Sequence, residues 1–515
     1  MKKKALTTSV ALMVLAACSG QEQEVTEEVT DAVTENKAVS EPVLGDILTL
    51  AMENRKGDPA DNFDVDDYLY DYTAAESEEL SEEELKGLRL SGESPAEAEA
   101  GRLIEDTHTL HRALKYQYAL YEANGGDEAF EEARNRVINE LESTYENDEI
   151  VSPRDFEEIL HNHYSFIRDT HFYINGSLVT PMEHRLFIND ETAFYKQKDG
   201  SFIHRENGEL LESVNGNEEV DAYLLPSLSD EGSYVYVPGI FSDTEPNREL
   251  ELVTGGEKEQ VRLYQLSASY SGGESEINFE SDVPIFSLKD FFFYENSDVT
   301  SEGLLEESRE LENEPYWILD LRSNPGGYPD FADEWHRQHF GISPGFGDYV
   351  MQLYSNTGHM VFQETEEYYR ELGVVEDPIW SEVGSYHGMI MPLEEPRWSR
   401  FYSAYRRAEN EDSVIFVVTD HYTASAAEYM TQVMKHVENT VIVGTNTAGA
   451  LNSGGALMWE LPHSNVKMDV PAAFSYHPEN LAQEGIGLEP DLWVDPHHAV
   501  ERIEALVKKE QARED

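Results

Sequence analysis

The sequence is short of cysteine, of positive charge and of long apolar runs. Its one cysteine, Cys18, excludes a disulfide within the 515 residues, so stability must come from a packed core. Only 37 basic residues stand against 103 acidic ones, which gives a formal net charge of −66. Such a surface repels nucleic acid and anionic lipid, so we expect neither as a partner.

The first apolar run, residues 5–17, is too short to span a membrane. It follows three lysines and ends in Leu15-Ala-Ala-Cys18, the form of a bacterial lipoprotein signal whose lipid is attached to Cys18. An ordinary signal peptide with a chance cysteine is the alternative. We expect a lipid-anchored, extracytoplasmic protein of the bacterial cell envelope that touches the membrane only through this anchor.

The composition and the spacing of apolar residues change along the chain and predict six parts. Apolar residues recur at helical spacing from Leu103 to Tyr121, whereas Asp-Gly, Asn-Gly and Gly-Gly pairs after Phe187 are typical of hairpins. The parts are a signal peptide at 1–18, a flexible tether at 19–44, a helical domain at 45–170, a β-rich insert with PDZ-like pieces at 185–266, a catalytic domain at 275–498, and a C-terminal helix with a charged tail at 499–515.

Residues 414–428 pass from a strand through a short turn into a helix. The apolar, largely β-branched run 414–418 is typical of a strand buried on both faces of a sheet, and apolar residues behind it recur at helical spacing. Ser425 lies at the junction, where unpaired backbone N–H groups at a helix start can stabilise an anion. A nucleophile needs such a place. The alternative is a capping box, Ser425-Ala-Ala-Glu428, in which the serine only satisfies the helix start.

Two glycine-containing stretches are further candidates for a functional site. A second apolar strand ends in Asp320-Leu-Arg-Ser-Asn-Pro-Gly-Gly327, where paired glycines let the backbone approach a ligand closely. Near the end of the chain comes Glu484-Gly-Ile-Gly-Leu-Glu-Pro-Asp491. Taken singly, each reads as an ordinary turn or loop.

In this order, the Asp320–Gly327 stretch, Thr423-Ala-Ser-Ala-Ala-Glu428 and the late Gly487-Leu-Glu-Pro-Asp491 resemble the tail-specific (C-terminal processing) serine peptidase family. The resemblance implies an α/β fold with a spiral ββα core of the ClpP/crotonase kind and Ser425 as nucleophile. It also implies an oxyanion hole formed by the N–H of Ala426 and of Gly326 or Gly327; such donors are worth a few kcal/mol to the transition state.

The base that activates Ser425 departs from the commoner pattern of that family. The usual lysine would stand at position 450, where this chain has alanine. Upstream, Asp169-Thr-His171 resembles the pattern of the tricorn-like branch, in which a histidine serves as the base. By this resemblance His171 is the general base and Glu484 orients it through Thr170. Asp169 is expected to hold the loop.

The expected function is therefore that of a serine endopeptidase acting on extracytoplasmic proteins or peptides, without a metal or organic cofactor. The acidic run at 58–71 lacks the glycine and the terminal glutamate of an EF-hand loop. The alternative is a non-catalytic binding lipoprotein that keeps the fold, and the missing lysine is its best argument. Proximity of His171 to Ser425 in the folded chain would favour the enzyme.

Overall fold

The computed structural model describes residues 43–55, 64–73, 78–180, 185–266, 272–293, 299–371, 392–477 and 483–514. The predicted signal peptide with Cys18, and the tether apart from its last two residues, lie outside these ranges. Within them, none of the helices has both the length and the apolar character needed to cross a membrane.

The secondary structure is mixed, with helices concentrated before residue 165 and strands after it. The α-helices are α1 (Leu44–Asn54), α2 (Glu82–Lys86), α3 (Ala100–Gln117), α4 (Gly126–Thr144), α5 (Pro153–Tyr164), α6 (Ser301–Glu307), α7 (Asp330–Phe340), α8 (Asn356–Glu371), α9 (Ala426–Lys435) and α10 (Ala499–Glu514). Short 3₁₀ helices span Val65–Tyr68, Val220–Tyr223 and Ser308–Asn313.

The strands fall into several sheets and confirm a mixed α/β fold. In chain order they are β1 (Ala98–Glu99), β2 (Ile150–Val151), β3 (Tyr173–Ile174), β4 (Ser177–Leu178), β5 (Arg185–Ile188), β6 (Phe194–Lys196), β7 (Phe202–His204), β8 (Leu211–Val214), β9 (Leu224–Leu228), β10 (Tyr234–Ser242), β11 (Glu249–Thr254), β12 (Glu257–Arg262), β13 (Tyr264–Gln265), β14 (Glu276–Asn278), β15 (Ile285–Ser287), β16 (Tyr316–Asp320), β17 (Asp348–Tyr354), β18 (Arg397–Ser403), β19 (Val414–Thr419), β20 (Thr440–Gly444), β21 (Ser453–Glu460), β22 (Lys467–Tyr476) and β23 (Leu492–Trp493).

A central sheet carries the strand that leads to Ser425. Its order is β14-β15-β16-β19-β20-β23, and every pairing from β15 onward is parallel. Parallel pairing brings the ends of β16 and β19 to the same edge of the sheet. The loops after these two strands, at 321–329 and 420–425, therefore emerge side by side.

Both faces of the central sheet are covered. Trp317, Leu319 and Ile415 pack with α7 and α9, whereas the alternate residues Ile318 and Phe416 pack with α1 and α10. A strand buried on two sides has no polar face, and this accounts for the unbroken apolar run of β19.

A second sheet, antiparallel throughout, has the order β18-β17-β22-β3-β4, with β21 paired to β22. Helices α3 to α5 share a hydrophobic core with it, in which Trp459, Val470 and Phe474 are buried. Strand β3 begins two residues after His171, and Ile174 pairs with Met468 of β22. The helical part of the chain thus delivers the His171 loop to this sheet.

Residues 185–265 form two further sheets, one of six strands around β10 and one of three strands in the order β12-β11-β8. The glycine pair at 255–256 lies between β11 and β12, which pair as a hairpin. A PDZ-like character for this part stays a prediction, and so does the spiral form of the core.

Two helices differ in place or extent from what the sequence suggested. Helix α1, placed with the helical domain, packs Leu44, Ile47 and Ala51 against the central sheet instead. The predicted charged tail is not a tail in the described residues, because α10 continues to Glu514 with Ile503 and Val507 buried along one face. The extent of α10 was missed because charge marks only the exposed side of an amphipathic helix, whose buried stripe lies among the charged residues.

Candidate active site

Ser425 lies at the sharp turn between β19 and α9. Its φ of 52° is positive, an uncommon conformation for a residue other than glycine, and it is the kind of strain found at functional sites. Two bonds to the neighbouring loop hold the turn: Thr423 Oγ1 donates to the Leu321 carbonyl at 2.9 Å, and the Ala424 N–H donates to the Asn324 carbonyl at 2.9 Å. The side chain of Ser425 is therefore held at the sheet edge.

The imidazole of His171 meets this hydroxyl. His171 Nε2 lies 2.9 Å from Ser425 Oγ, although the two residues are 254 positions apart in the chain. The expected proximity of the two side chains is thus confirmed. Burial lowers the pKa of His171, against the nearby charge of Asp169, so the ring is neutral at neutral pH and can accept a proton.

The other ring nitrogen contacts a residue that sequence reasoning missed. His171 Nδ1 lies 3.1 Å from Ser453 Oγ, the first residue of β21, and Ser453 Oγ lies 2.6 Å from Asp169 Oδ1. Because the single hydroxyl proton is donated to the carboxylate, the hydroxyl accepts from Nδ1–H. This assigns the proton of the neutral ring to Nδ1 and leaves the Nε2 lone pair facing Ser425.

Asp169 holds the loop as expected, and it does so from a buried position. It accepts the His171 N–H at 2.9 Å and the Tyr118 hydroxyl at 2.9 Å, besides the Ser453 hydroxyl. Burial raises the pKa of Asp169, while His171 and these donors oppose the rise. The donors reduce the cost of burying this carboxylate next to the imidazole.

Glu484 makes the predicted contact with Thr170. Its Oε1 accepts the Thr170 N–H at 2.8 Å and the Thr170 hydroxyl at 2.7 Å, and its Oε2 accepts the Asn452 N–H at 3.1 Å and the Asn452 side-chain amide at 2.7 Å. Burial and then the charge of Asp169 raise the pKa of Glu484 to about 8, against these donors.

The predicted route from Glu484 through Thr170 to the imidazole is not found. Among the described residues Thr170 makes no hydrogen bond to the His171 ring, because its hydroxyl points to Glu484 and to the Gly449 carbonyl. The ring nitrogen is reached from the other side, by Ser453. No local signal in the sequence distinguished Ser453, which lies in a stretch of ordinary composition.

The predicted anion-binding amides lie beside Ser425, with one correction. A Cβ on Gly326, whose φ is 98°, would lie 2.8 Å from both the Ala426 nitrogen and the Ser425 Cβ, so only glycine allows this approach. The Gly326 N–H, however, already donates to Asn324 Oδ1 at 2.8 Å. The N–H groups of Gly327 and Ala426 donate to no other described residue. Gly327 and Ala426 are thus the amides left for an oxyanion.

Glu428 contacts the segment around Ala450, the position at which the usual lysine would stand. Its buried carboxylate accepts the Ser425 N–H at 3.0 Å, the Gly449 N–H at 2.7 Å and the Ala450 N–H at 2.7 Å. The capping-box motif marked Glu428 as a partner of Ser425, but not its second partners around Ala450. Burial raises the pKa of Glu428 to about 7, against those donors.

The described residues hold no group of three or more His, Cys, Asp or Glu placed to bind a metal ion.

With the geometry established, comparison with protein families gives a class. Residues 285–494 match the model of Peptidase family S41. This confirms the resemblance to the tail-specific peptidases for that part of the chain. The match supports hydrolysis of peptide bonds, with proteins or peptides as substrates.

Comparison with single proteins gives only distant similarities. No curated protein matched the chain. Among solved structures it is similar to mature CPAF complexed with lactacystin, at 12% identity and a TM-score of 0.40, over 80% of this chain and 97% of that one. The photosystem II D1 C-terminal processing protease matches at 14% identity and 0.34, over 80% and 97%. The tricorn protease matches at 13% and 0.35, over 80% and 37%.

The raised pKa of Glu484 makes stability depend on pH. Between its ordinary value of 4.5 and about 8, the folded chain keeps a proton that the unfolded chain releases, so this contribution to stability is lost as the pH rises. We expect the urea midpoint of the wild type to fall relative to that of Glu484→Gln as the pH rises from 5 to 8. An exposed control, Glu489→Gln, should follow the wild type. A difference that stays constant over this range would contradict the assignment.

Proposed function

We propose that this chain is a serine peptidase with Ser425 as nucleophile and His171 as general base. The observation that carries the proposal is the 2.9 Å contact between Ser425 Oγ and His171 Nε2. A serine is a weak nucleophile unless a base takes its proton, and a neutral imidazole with a free Nε2 lone pair does this. The base thus belongs to the histidine type of the tricorn-like branch, and no lysine is needed at position 450.

In the proposed mechanism Ser425 Oγ attacks the peptide carbonyl carbon while its proton passes to His171 Nε2. The resulting oxyanion is held by the N–H groups of Gly327 and Ala426. The C–N bond then breaks, the amine leaves with the proton from His171, and an acyl ester remains on Ser425. Water, deprotonated by the same imidazole, releases the acid and restores the serine.

The nucleophile is tested by labelling residues 43–515 with a fluorophosphonate and reading intact mass. We expect one adduct on the wild type and none on Ser425→Ala. His171→Ala should label at least about 100-fold more slowly, since general-base catalysis contributes roughly 10²–10⁴-fold. His161→Ala, on a helix away from the pair, is the control and should label as the wild type does. A folded wild type without an adduct would contradict the proposed peptidase function and favour the non-catalytic binding protein.

Ser453 and Asp169 are proposed as positioning residues that fix the tautomer of His171. Removing the hydroxyl in Ser453→Ala should slow labelling roughly 10- to 100-fold, the range for losing a hydrogen bond to a charged group. Ser453→Thr keeps the hydroxyl and should restore the rate.

The pH profile separates a positioning role from a merely structural one. Substituting a merely structural residue would not change the pH at which the labelling rate falls to half. For the wild type this pH should lie below 6.5 because burial lowers the pKa of His171, and it should shift in Ser453→Ala. An unchanged rate and profile in Ser453→Ala would refute this role.

We also propose that Cys18 carries lipid that holds the protein outside the cytoplasm. The support is the run at 5–17 between three lysines and Leu15-Ala-Ala-Cys18, together with the absence of any other cysteine. Expressed at full length in a bacterial host fed an alkyne fatty acid, the wild type should take up the label and sediment with membranes. Cys18→Ala should remain unlabelled. A wild type that carries no label would exclude the anchor.

A further inference from the structure

Four arginines stand close together in a protein that carries 103 acidic residues and only 37 basic ones. Residues 396–408, the arginine-rich segment, contain Arg397, Arg400, Arg406 and Arg407 but no aspartate or glutamate, and acidic residues border the segment directly at both ends. All four arginines are exposed, and the segment includes the whole of β18. A basic segment in so acidic a molecule is suited to a partner of negative charge.

The charge of the arginine-rich segment is only partly neutralised within the protein. Arg400 forms an ion pair with Asp66, and Arg407 pairs with Glu438 at 3.5 Å. The other two arginines make no ion pair with a described residue. Exposed ion pairs contribute little free energy, so the carboxylates of a partner can replace the two that exist at small cost.

Strand β18 is also the outer edge of the second sheet. It pairs with β17 alone among the described strands, in unbroken register from its first residue to its last. The carbonyl of Ser403 accepts the Gly347 N–H at 2.9 Å, so Ser403 directs its main-chain groups toward β17. Because this direction alternates along an antiparallel strand, Trp398, Arg400 and Tyr402 direct their N–H and carbonyl groups outward.

The pairing on the inner side of β17 gives the same directions. The Ser475 N–H donates to the Asn452 carbonyl at 2.8 Å, so Ser475 faces away from β17. Its partner Val350 then faces β18, and Phe401, opposite Val350, faces β17. The residues on either side of Phe401 therefore present their main-chain groups at the outer edge.

These outward groups are open to pairing with another chain. No described residue makes a main-chain hydrogen bond with the N–H or carbonyl of Trp398, Arg400 or Tyr402. Sheet edges are commonly protected by lysine, proline or a bulge, and β18 has none of the three. Two copies of β18 paired edge to edge would bring their arginines together, and like charges across strands are destabilising. The edge thus favours an acidic chain over a second copy.

Exposed aromatic side chains lie along the same edge. Phe401 and Tyr402 are each 51% exposed and, as neighbours in a strand, point to opposite faces of the sheet. Cross-strand contacts with aromatic residues stabilise paired strands. Apolar side chains of an added strand can therefore pack on either face of the sheet.

We propose that β18 is a docking edge for an extended acidic segment of the protein substrate, which adds to the second sheet as a further strand. Main-chain groups of the segment pair with the outward groups of β18. Its carboxylates lie beside Arg397 and Arg400, and its apolar side chains contact Phe401 and Tyr402. The inference rests on the proposed peptidase function, because the occupant is a substrate.

The docked segment lies away from the bond that is cut. Arg400 is the partner of Met351, Met351 of Phe474, and Phe474 of Ser453, which touches the His171 ring. At about 4.8 Å between strands, Arg400 lies about 14 Å from Ser453, and the added strand lies one spacing further out. At about 3.3 Å per extended residue, the acidic segment and the cut are thus at least roughly six residues apart.

The first test measures peptide binding to the full chain in a non-ionic detergent, with Ser425→Ala to prevent cleavage. The probe is a short fluorescent peptide in which valine alternates with glutamate, read by anisotropy. Tyr402→Pro removes an outward N–H, a change that edge strands tolerate, and should weaken binding roughly tenfold or more because a hydrogen bond is lost and the ring obstructs the added strand. Tyr402→Ala keeps the N–H, is the matched control and should weaken binding less.

The charge of the edge is tested separately with Arg397→Glu. This variant should weaken binding of the glutamate peptide roughly fivefold or more and strengthen binding of the same peptide with lysine in place of glutamate. Arg154→Glu, at an exposed position of α5 outside the second sheet, is the control and should bind as the parent does. Arg397→Glu decides the matter if Tyr402→Pro does not fold.

The second test measures kinetics on peptides that the wild type cuts. An acidic run placed about six or more residues from the cut should lower KM and leave kcat unchanged, because docking adds binding energy equally to substrate and transition state. Tyr402→Pro should cancel this difference in KM. Fluorophosphonate labelling of Ser425 should be the same in Tyr402→Pro as in the wild type, since the probe does not reach β18.

Failure of the docking edge and failure of the peptidase are distinguishable. A wild type that neither labels nor cleaves would defeat the peptidase, and with it a substrate as the occupant. Cleavage without preference for an acidic run, equal binding of the glutamate and lysine peptides, or a folded Tyr402→Pro that binds as tightly as Tyr402→Ala would each overturn the docking edge alone. So would a dimer of the full chain that Tyr402→Pro converts to a monomer, since the edge would then hold a second copy.

Discussion

The hydrogen bond between Ser425 and His171 depends on two sheets that are built from different parts of the chain. Ser425 follows β19 of the parallel central sheet, and His171 precedes β3 of the antiparallel second sheet. A contact of 2.9 Å between the two side chains therefore requires the two sheets to be held in a fixed position relative to each other. Their separate hydrophobic cores, one around Trp335 and one around Trp459, supply the rigidity that such a short contact needs.

Two buried carboxylates, of Asp169 and Glu428, and the partly buried carboxylate of Glu484 connect the loops around this contact. Asp169 joins the His171 loop to β21, Glu428 joins the Ser425 turn to the segment at 447–450, and Glu484 joins Thr170 to Asn452. Each carboxylate is costly to bury, and each is surrounded by several N–H or O–H donors that offset the cost. The arrangement specifies loop positions that apolar packing could not, because a carboxylate accepts only from donors at defined angles.

Much of the candidate site was predictable because its motifs are local. The strand before Ser425 and the glycine pair at 326–327 lie in short stretches whose residue types indicate their local structure. The pairing of Thr170 with Glu484, 314 positions apart, was implied only by the family resemblance. The choice between Gly326 and Gly327 was not predictable, since it depends on the turn that presents the Gly326 N–H to Asn324. Ser453 was missed for a similar reason: a serine in a glycine-containing stretch has no local mark of contact with a distant histidine.

Taken by itself, the sequence determined the strand-turn-helix at Ser425, the absence of disulfides, the acidic surface and the family resemblance, because these depend on composition and on residues close together in the chain. The tertiary structure alone decided which nitrogen of His171 faces Ser425 and which hydroxyl contacts the other ring nitrogen. Those features arise where segments hundreds of residues apart meet, and hydrogen-bond geometry there is set by the packing of whole sheets and helices.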